Sequence, residues 1–399
     1  MRALLRSLWR SGSQTGFSMI ELLIATAVMT VVMGGVLAVL HSAASAWDTQ
    51  PEASDMQQRL RAAVASLQHD LGAAGAGPDE SGANGALYDR FAPVMPYRWG
   101  AANPDVPGTF RPDVISVVAV PRRPAFTRVI ATHFASVDET LVETAIDCGG
   151  LRQTPRCGFD AGQRVMLFDD ADRWDTGIVT QAQDGALVVQ HAVPFSSAYD
   201  NGAAFVAELS AHTYYLEADR ATGLPQLVHY DGDRTTMPVV ENVVGLAFEY
   251  FGDPVPPQIA ALDPPRTTYG PSPPGIGVAS GTTWAEGENC TFAMVDGAHV
   301  PRLAALGVGP SPVPLSPATL VDGPWCPDAT HPARFDADLL RIRRIRVVIR
   351  VQAAAAWLRG PASAPFMFPG TATPARYVPD REIRFDVAPR SLNLRRAWH

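Results

Sequence analysis

This sequence predicts an α+β fold in which a long N-terminal membrane-embedded helix packs on an enlarged antiparallel β head. Three observations predict it. Residues 17–40 form an apolar run with one formal charge, and an amphipathic stripe follows it. From Asp113 onward, short segments rich in Val, Ile, Phe and Tyr are bounded by Gly, Pro and Asp.

The apolar run, from Phe17 to Leu40, is 24 residues long. As a helix it extends roughly 36 Å, enough to cross a bilayer. Its Leu, Ile, Val and Phe residues contribute on the order of −4 to −7 kcal/mol to insertion, against about 3 for Glu21, so the segment inserts despite the acid. Arg2, Arg6 and Arg10 precede it, and apart from His41 the next basic residue is Arg59. This asymmetry puts the N-terminus in the cytoplasm and the rest outside. Ala44-Ser45-Ala46 before Trp47 resembles a signal-peptidase site, but the leader would be too long and Glu21 would have no purpose in it.

Gly16, then Phe17, then Glu21 at the head of an apolar helix, behind a basic leader, resembles the prepilin signature of type IV pilins and type II secretion pseudopilins. The resemblance implies that a prepilin peptidase cuts between Gly16 and Phe17 and that Phe17 is then N-methylated. It divides the chain into a cytoplasmic leader (1–16), a transmembrane part of the helix (17–40), an amphipathic stem (41–77) and a β-rich head outside (78–399). Two further stretches are similar to PilW-type minor pilins, and the first also to J-type minor pseudopilins: Leu67 to Gly75, and VVENVVGLAFEYFGD at 239–253 followed by a late Arg-rich strand. The fold implied is pilin-like.

Glu21 then has a physical purpose. Cleavage creates a charged amine on Phe17, and in a filament built from such helices the acid of one subunit neutralises the amine of its neighbour. Pairing offsets the cost of both charges in an apolar medium. The K-type capping pseudopilin departs from the acid here, so the resemblance implies a place beneath the cap or within a tip complex. Gly34-Gly35 weakens the helix by about 1 kcal/mol per residue relative to Ala. Close helix packing is one reading of the pair; the other is loosening of the helix as the subunit leaves lipid for the filament.

In the stem, Met56, Leu60, Val64, Leu67 and Leu71 recur every three to four residues. Pro51 interrupts the pattern, so a kink is expected, or a restart capped by Ser54 or Asp55. His69 and Asp70 are read as a solvated helix face. Strands are expected at 113–120, 164–168, 176–180, 186–191, 211–217, 226–230 and 243–251, and later where Ile345, Val347, Ile349 and Val351, then Ile383, Phe385 and Val387, alternate with mostly charged residues. Between them, residues 252–336 are rich in Pro and Gly and are read as a disulfide-stapled insertion.

The formal charge of −8, all of whose basic side chains are Arg, does not suit a general nucleic-acid binder. Four cysteines on the exported side favour disulfides, with the sequence-local pairings Cys148 with Cys157 and Cys290 with Cys326 preferred. No zinc spacing occurs, and no metal or cofactor is expected. The acids at Asp169, Asp170, Asp172 and Asp175, and at Asp231 and Asp233, read as turn residues. No catalytic motif is present, so no enzyme is expected.

Residues 336–399 hold 12 Arg and 5 acids, whereas 17–335 carry a net charge of −18. Arg344, Arg346 and Arg350 are read either as a strand face paired with acids of the head or as a site for a polyanion or acidic partner. The function expected is that of a structural minor pilin that helps initiate a type IV pilus or decorates its tip. Alternatives are a type II secretion pseudopilin and a tip adhesin or DNA-uptake module. Expected partners are minor and major pilins, the prepilin peptidase and the inner membrane, without a homo-oligomer outside a filament.

Overall fold

The longest helix runs unbroken from Met19 to Ala73 and passes through Pro51. In this computed structural model the described residues are 16–77, 87, 91–100, 103–134, 138–143, 157–169, 174–190, 195, 198–232, 235–257, 269–271, 273, 275, 277, 283–309, 311–331, 333–359 and 378–393. The chain divides into two units, Met1–Ser54 and Asp55–His399.

The continuity corrects the expected restart near Pro51. A proline removes one backbone donor, and the flanking turns hold the helix through that gap. Asp55, offered as a cap, instead forms an ion pair with Arg59 one turn on. The stem stripe is buried as its period requires: Met56, Leu60, Ala63, Leu67 and Leu71 all face the core, and Val64 is half-buried.

Among the described residues, neighbouring strands of the head pair antiparallel. Its first sheet orders Val94–Met95, Ile115–Ala119, Ser210–Ala218, Pro225–Tyr230 and Thr236–Glu241. Its third orders Val313–Leu315, Val243–Gly252, Ile342–Val351 and Arg381–Val387. The stem stripe, Ile115, Val117 and Tyr214 of the first sheet, and Val347 and Ile349 of the third share one apolar core.

The second sheet orders Phe126–Arg128, Ala204–Glu208, Arg164–Asp169, Trp174–Gln183, Ala186–Gln190 and Glu139–Leu141. Its edges meet: Val129 pairs with Val142, and the Ile130 and Glu143 N–H groups donate to the Leu141 and Arg128 carbonyls, each at 3.0 Å. This closes the sheet into a small barrel and removes its free edges. Val129, Val142, Val165, Leu167, Val179, Leu187, Val189 and Val206 fill a core of its own.

The Pro/Gly-rich segment leaves and re-enters the third sheet between two strands that pair directly, Gly252 opposite Ile342 and Val243 opposite Val351. It is not without structure. It contains the hairpin Phe292–Val295 with Ala298–Pro301, returns Val313–Leu315 to the sheet edge, and is joined by the Cys290–Cys326 disulfide. Cys157 is also disulfide-bonded; Cys148, its expected partner, lies outside the described residues.

The acids read as turn residues divide. Asp169 and Asp175 are buried at strand ends, where Asp175 accepts the Tyr199 hydroxyl at 2.7 Å, which corrects the turn reading for these two. Asp231 does sit in a turn, accepting the Thr235 N–H at 3.1 Å. Asp170, Asp172 and Asp233 lie outside the described residues.

Candidate functional site

Ser18 and Glu21 make a reciprocal cap at the start of the long helix. The Glu21 carboxylate accepts the Ser18 N–H at 3.0 Å, and the Ser18 hydroxyl accepts the Ile20 N–H at 3.4 Å. The first intrahelical bond, Leu22 N–H to the Ser18 carbonyl, is 3.1 Å. The spacing Ser-x-x-Glu is the capping box, which satisfies two of the N–H groups a helix start leaves without partners. Gly16 and Phe17 precede it, both exposed.

From Met19 to Leu40 the helix has a mean hydropathy of 2.4, and none of it is buried within the chain. Length and composition suit a membrane span. Its hydroxyls are satisfied internally: Thr26 donates to the Leu22 carbonyl at 3.0 Å and Thr30 to the Thr26 carbonyl at 2.7 Å, as an apolar surround demands. Gly34 and Gly35 are helical, and a Cβ on either would meet nothing within 4 Å.

In the third sheet, Arg346 makes a two-pronged pair with Asp386 at 2.8 and 3.3 Å and lies 3.6 Å from Glu249. Arg344 lies 3.6 Å from Asp386 and stacks over Phe251, and buried Arg350 lies 3.7 Å from Asp380. Each of the three arginines therefore faces an acid of the head.

Among the described residues, two polar clusters were not legible in the sequence. In the first, Asp70 is buried, which corrects its assignment to a solvated face; His69 beside it is exposed as expected. The helix turns Asp70 onto the same side as Leu67 and Leu71, and its carboxylate accepts the Tyr214 hydroxyl, which also lies 2.8 Å from the Ser66 hydroxyl. His212 and His229 stand beside it. His229 is directly opposite Tyr214 in the sheet register, so His212, two residues before Tyr214, is its diagonal neighbour on the same face. Burial, with His212 adjacent, holds the His229 imidazole below its ordinary value.

A glycine makes this corner possible. Gly232 has φ +86°, and a Cβ there would lie 2.2 Å from the Ala211 carbonyl oxygen, so only glycine lets the turn after His229 close against the strand carrying His212.

The second cluster is Asp322, Asp336 and Asp338 with Arg341. Asp336 caps a short helical turn by accepting the Asp338 N–H at 2.8 Å and also accepts the Gly323 N–H at 2.6 Å. Burial pushes Asp336 up to about 6 and Asp338 up to about 7, although Arg341, 2.5 Å from Asp338, opposes the rise.

The first cluster has no local sequence signal, because Asp70, His212 and His229 are far apart in the chain. The faint signal is that an acid stands at a core-facing phase of the stem stripe.

Residues 12–37 match the family model described as the prokaryotic N-terminal methylation motif. No curated protein and no solved structure matches the chain. The matched segment contains Gly16, Phe17, Glu21, Gly34 and Gly35, and it supports a type IV pilin-like protein anchored in a membrane by its N-terminal helix.

Proposed function

We propose that this protein is a structural minor pilin, cut by prepilin peptidase between Gly16 and Phe17 and methylated on Phe17. It helps initiate a type IV pilus or decorates its tip. One observation carries the reading: the stretch Met19–Leu40, entirely unburied, begins within the methylation motif. So much bare apolar surface needs a cover. Lipid of the inner membrane covers it before assembly, with the N-terminus cytoplasmic and the head periplasmic, and the helices of neighbouring pilins cover it afterwards.

Glu21 serves both states. In the isolated chain its carboxylate caps the helix, and in the filament it neutralises the new Phe17 amine of a neighbour. A polyanion at Arg344, Arg346 and Arg350 is left out of the reading, because Asp386, Glu249 and Asp380 already face those side chains.

Deleting the prepilin peptidase tests the proposal. The chain then keeps residues 1–16, stays in the inner-membrane fraction and disappears from sheared filaments. Recovery of uncut chain in filaments, or absence of the chain from wild-type filaments and their tip complexes, contradicts it.

A further inference from the structure

We propose that Asp70, His212 and His229 form a binding site for one divalent transition-metal ion, with Zn2+ the cation its donors suit. The three ligand atoms are already gathered. His212 Nδ1 lies 2.9 Å from His229 Nε2, and the Asp70 carboxylate oxygen lies 3.7 Å from the first and 3.5 Å from the second. A circle through three points so spaced has a radius of about 2.0 Å, matching the bond length of Zn2+ to imidazole nitrogen and carboxylate oxygen. The three separations therefore suit one ion, which the two imidazoles, whose nitrogens face each other in its absence, reach by a small swing of their rings.

The donor chemistry agrees. Two imidazole nitrogens and one carboxylate oxygen are ligands of a borderline cation, whereas Ca2+ and Mg2+ prefer all-oxygen sets. Without the ion, the facing nitrogens of His212 and His229 must share one proton, one ring donating and the other accepting. The cation takes the place of that shared proton, and the ring that donated it stays neutral by carrying its proton on its other nitrogen. The side chains remain 26%, 15% and 11% exposed for His212, His229 and Asp70, so one side of the site is open to water as a fourth ligand.

The surroundings hold the ligands in place. Tyr214 donates to the Asp70 carboxylate and stacks on the His229 ring at 4.7 Å and 21°. Such an outer partner fixes the orientation of the ligands it touches. Two ligands sit on adjacent strands and the third on the last turns of the stem helix, so the ion staples stem to sheet.

The test uses the detergent-solubilised full-length chain, stripped with a chelator and titrated with ZnCl2 by calorimetry. One equivalent should bind and raise the melting temperature, since a ligand that binds only the folded state stabilises it. His212→Gln and His229→Gln should each weaken binding by about 100-fold or more, given that even outer-partner losses cost 10–100-fold. His69→Gln, on the exposed side of the same helix, should change nothing. If a ligand variant does not fold, Co2+ is added to the wild-type chain, where visible d–d bands of a four-coordinate nitrogen and oxygen set are expected. Absence of saturable Zn2+ binding, binding undiminished in both variants, or Co2+ spectra without those bands overturns the proposal.

Discussion

The Glu21 carboxylate accepts the backbone N–H of Ser18 at 3.0 Å, so the one acid of the apolar helix has an internal task before any neighbour arrives. On the proposed filament role, this contact would be exchanged or shared when a neighbour's Phe17 amine approaches.

Glu21→Gln separates capping from charge. Glutamine still accepts the Ser18 N–H, as capping boxes allow. Membrane insertion and cleavage at Gly16 should then be unchanged. Docking should fail, because an uncompensated amine in an apolar helix core costs several kcal/mol, and each ~1.4 kcal/mol is tenfold in occupancy. Recovery of the cleaved variant in sheared filaments at less than about a tenth of wild type is the expected result. Wild-type recovery would leave Glu21 with its capping role alone.

Gly34→Ala with Gly35→Ala is sterically permitted in the isolated chain, where a Cβ at either position meets nothing within 4 Å. Each change strengthens the helix by about 1 kcal/mol. Insertion should be normal by membrane fractionation, and incorporation into filaments reduced. Normal incorporation would show that neither glycine is needed.

Asp336 and Asp338 should make the stability of the head depend on pH. Burial raises both to about 6 and about 7, so the folded state keeps protons that the unfolded state releases. This contribution is full below the ordinary aspartate range and is lost as pH rises through the folded values. The groups facing the pair are Asp322, Arg341 and Tyr97. The pair's contribution to thermal stability should decline between about pH 4 and 7, and Asp338→Asn should flatten that decline. A melting temperature that rises over that window in the wild type contradicts the assignment.

The Cys290–Cys326 disulfide closes a loop across 36 residues of the segment that leaves the third sheet. Loop entropy gives it a worth of about 3–4 kcal/mol. Replacing both cysteines with Ser should lower the denaturation midpoint accordingly, first in the segment around Phe292–Pro301. An unchanged midpoint would mean that the hairpin and sheet contacts hold the segment unaided.

What the sequence made legible was local. The stripe Met56, Leu60, Leu67 and Leu71 identifies the buried face of the stem because a 3.6-residue period survives in any context. The alternation around Ile345 to Val351 identifies a strand in the same way. Pro51 suggests a kink or a restart because it removes a donor, yet the helix continues through it from Met19 to Ala73. Asp70 misled because its partners, Tyr214, His212 and His229, arrive only through strand pairing. The closure of the second sheet through Val129 and Val142 has no sequence mark either, since single pairings leave no period.

Intact-mass analysis of the membrane-purified protein tests the central claim most directly. The account predicts a chain that begins at Phe17 and carries one methyl group on its amine. A chain beginning at Met1 or at Trp47 would contradict it, the first indicating an unprocessed anchor and the second a discarded signal peptide.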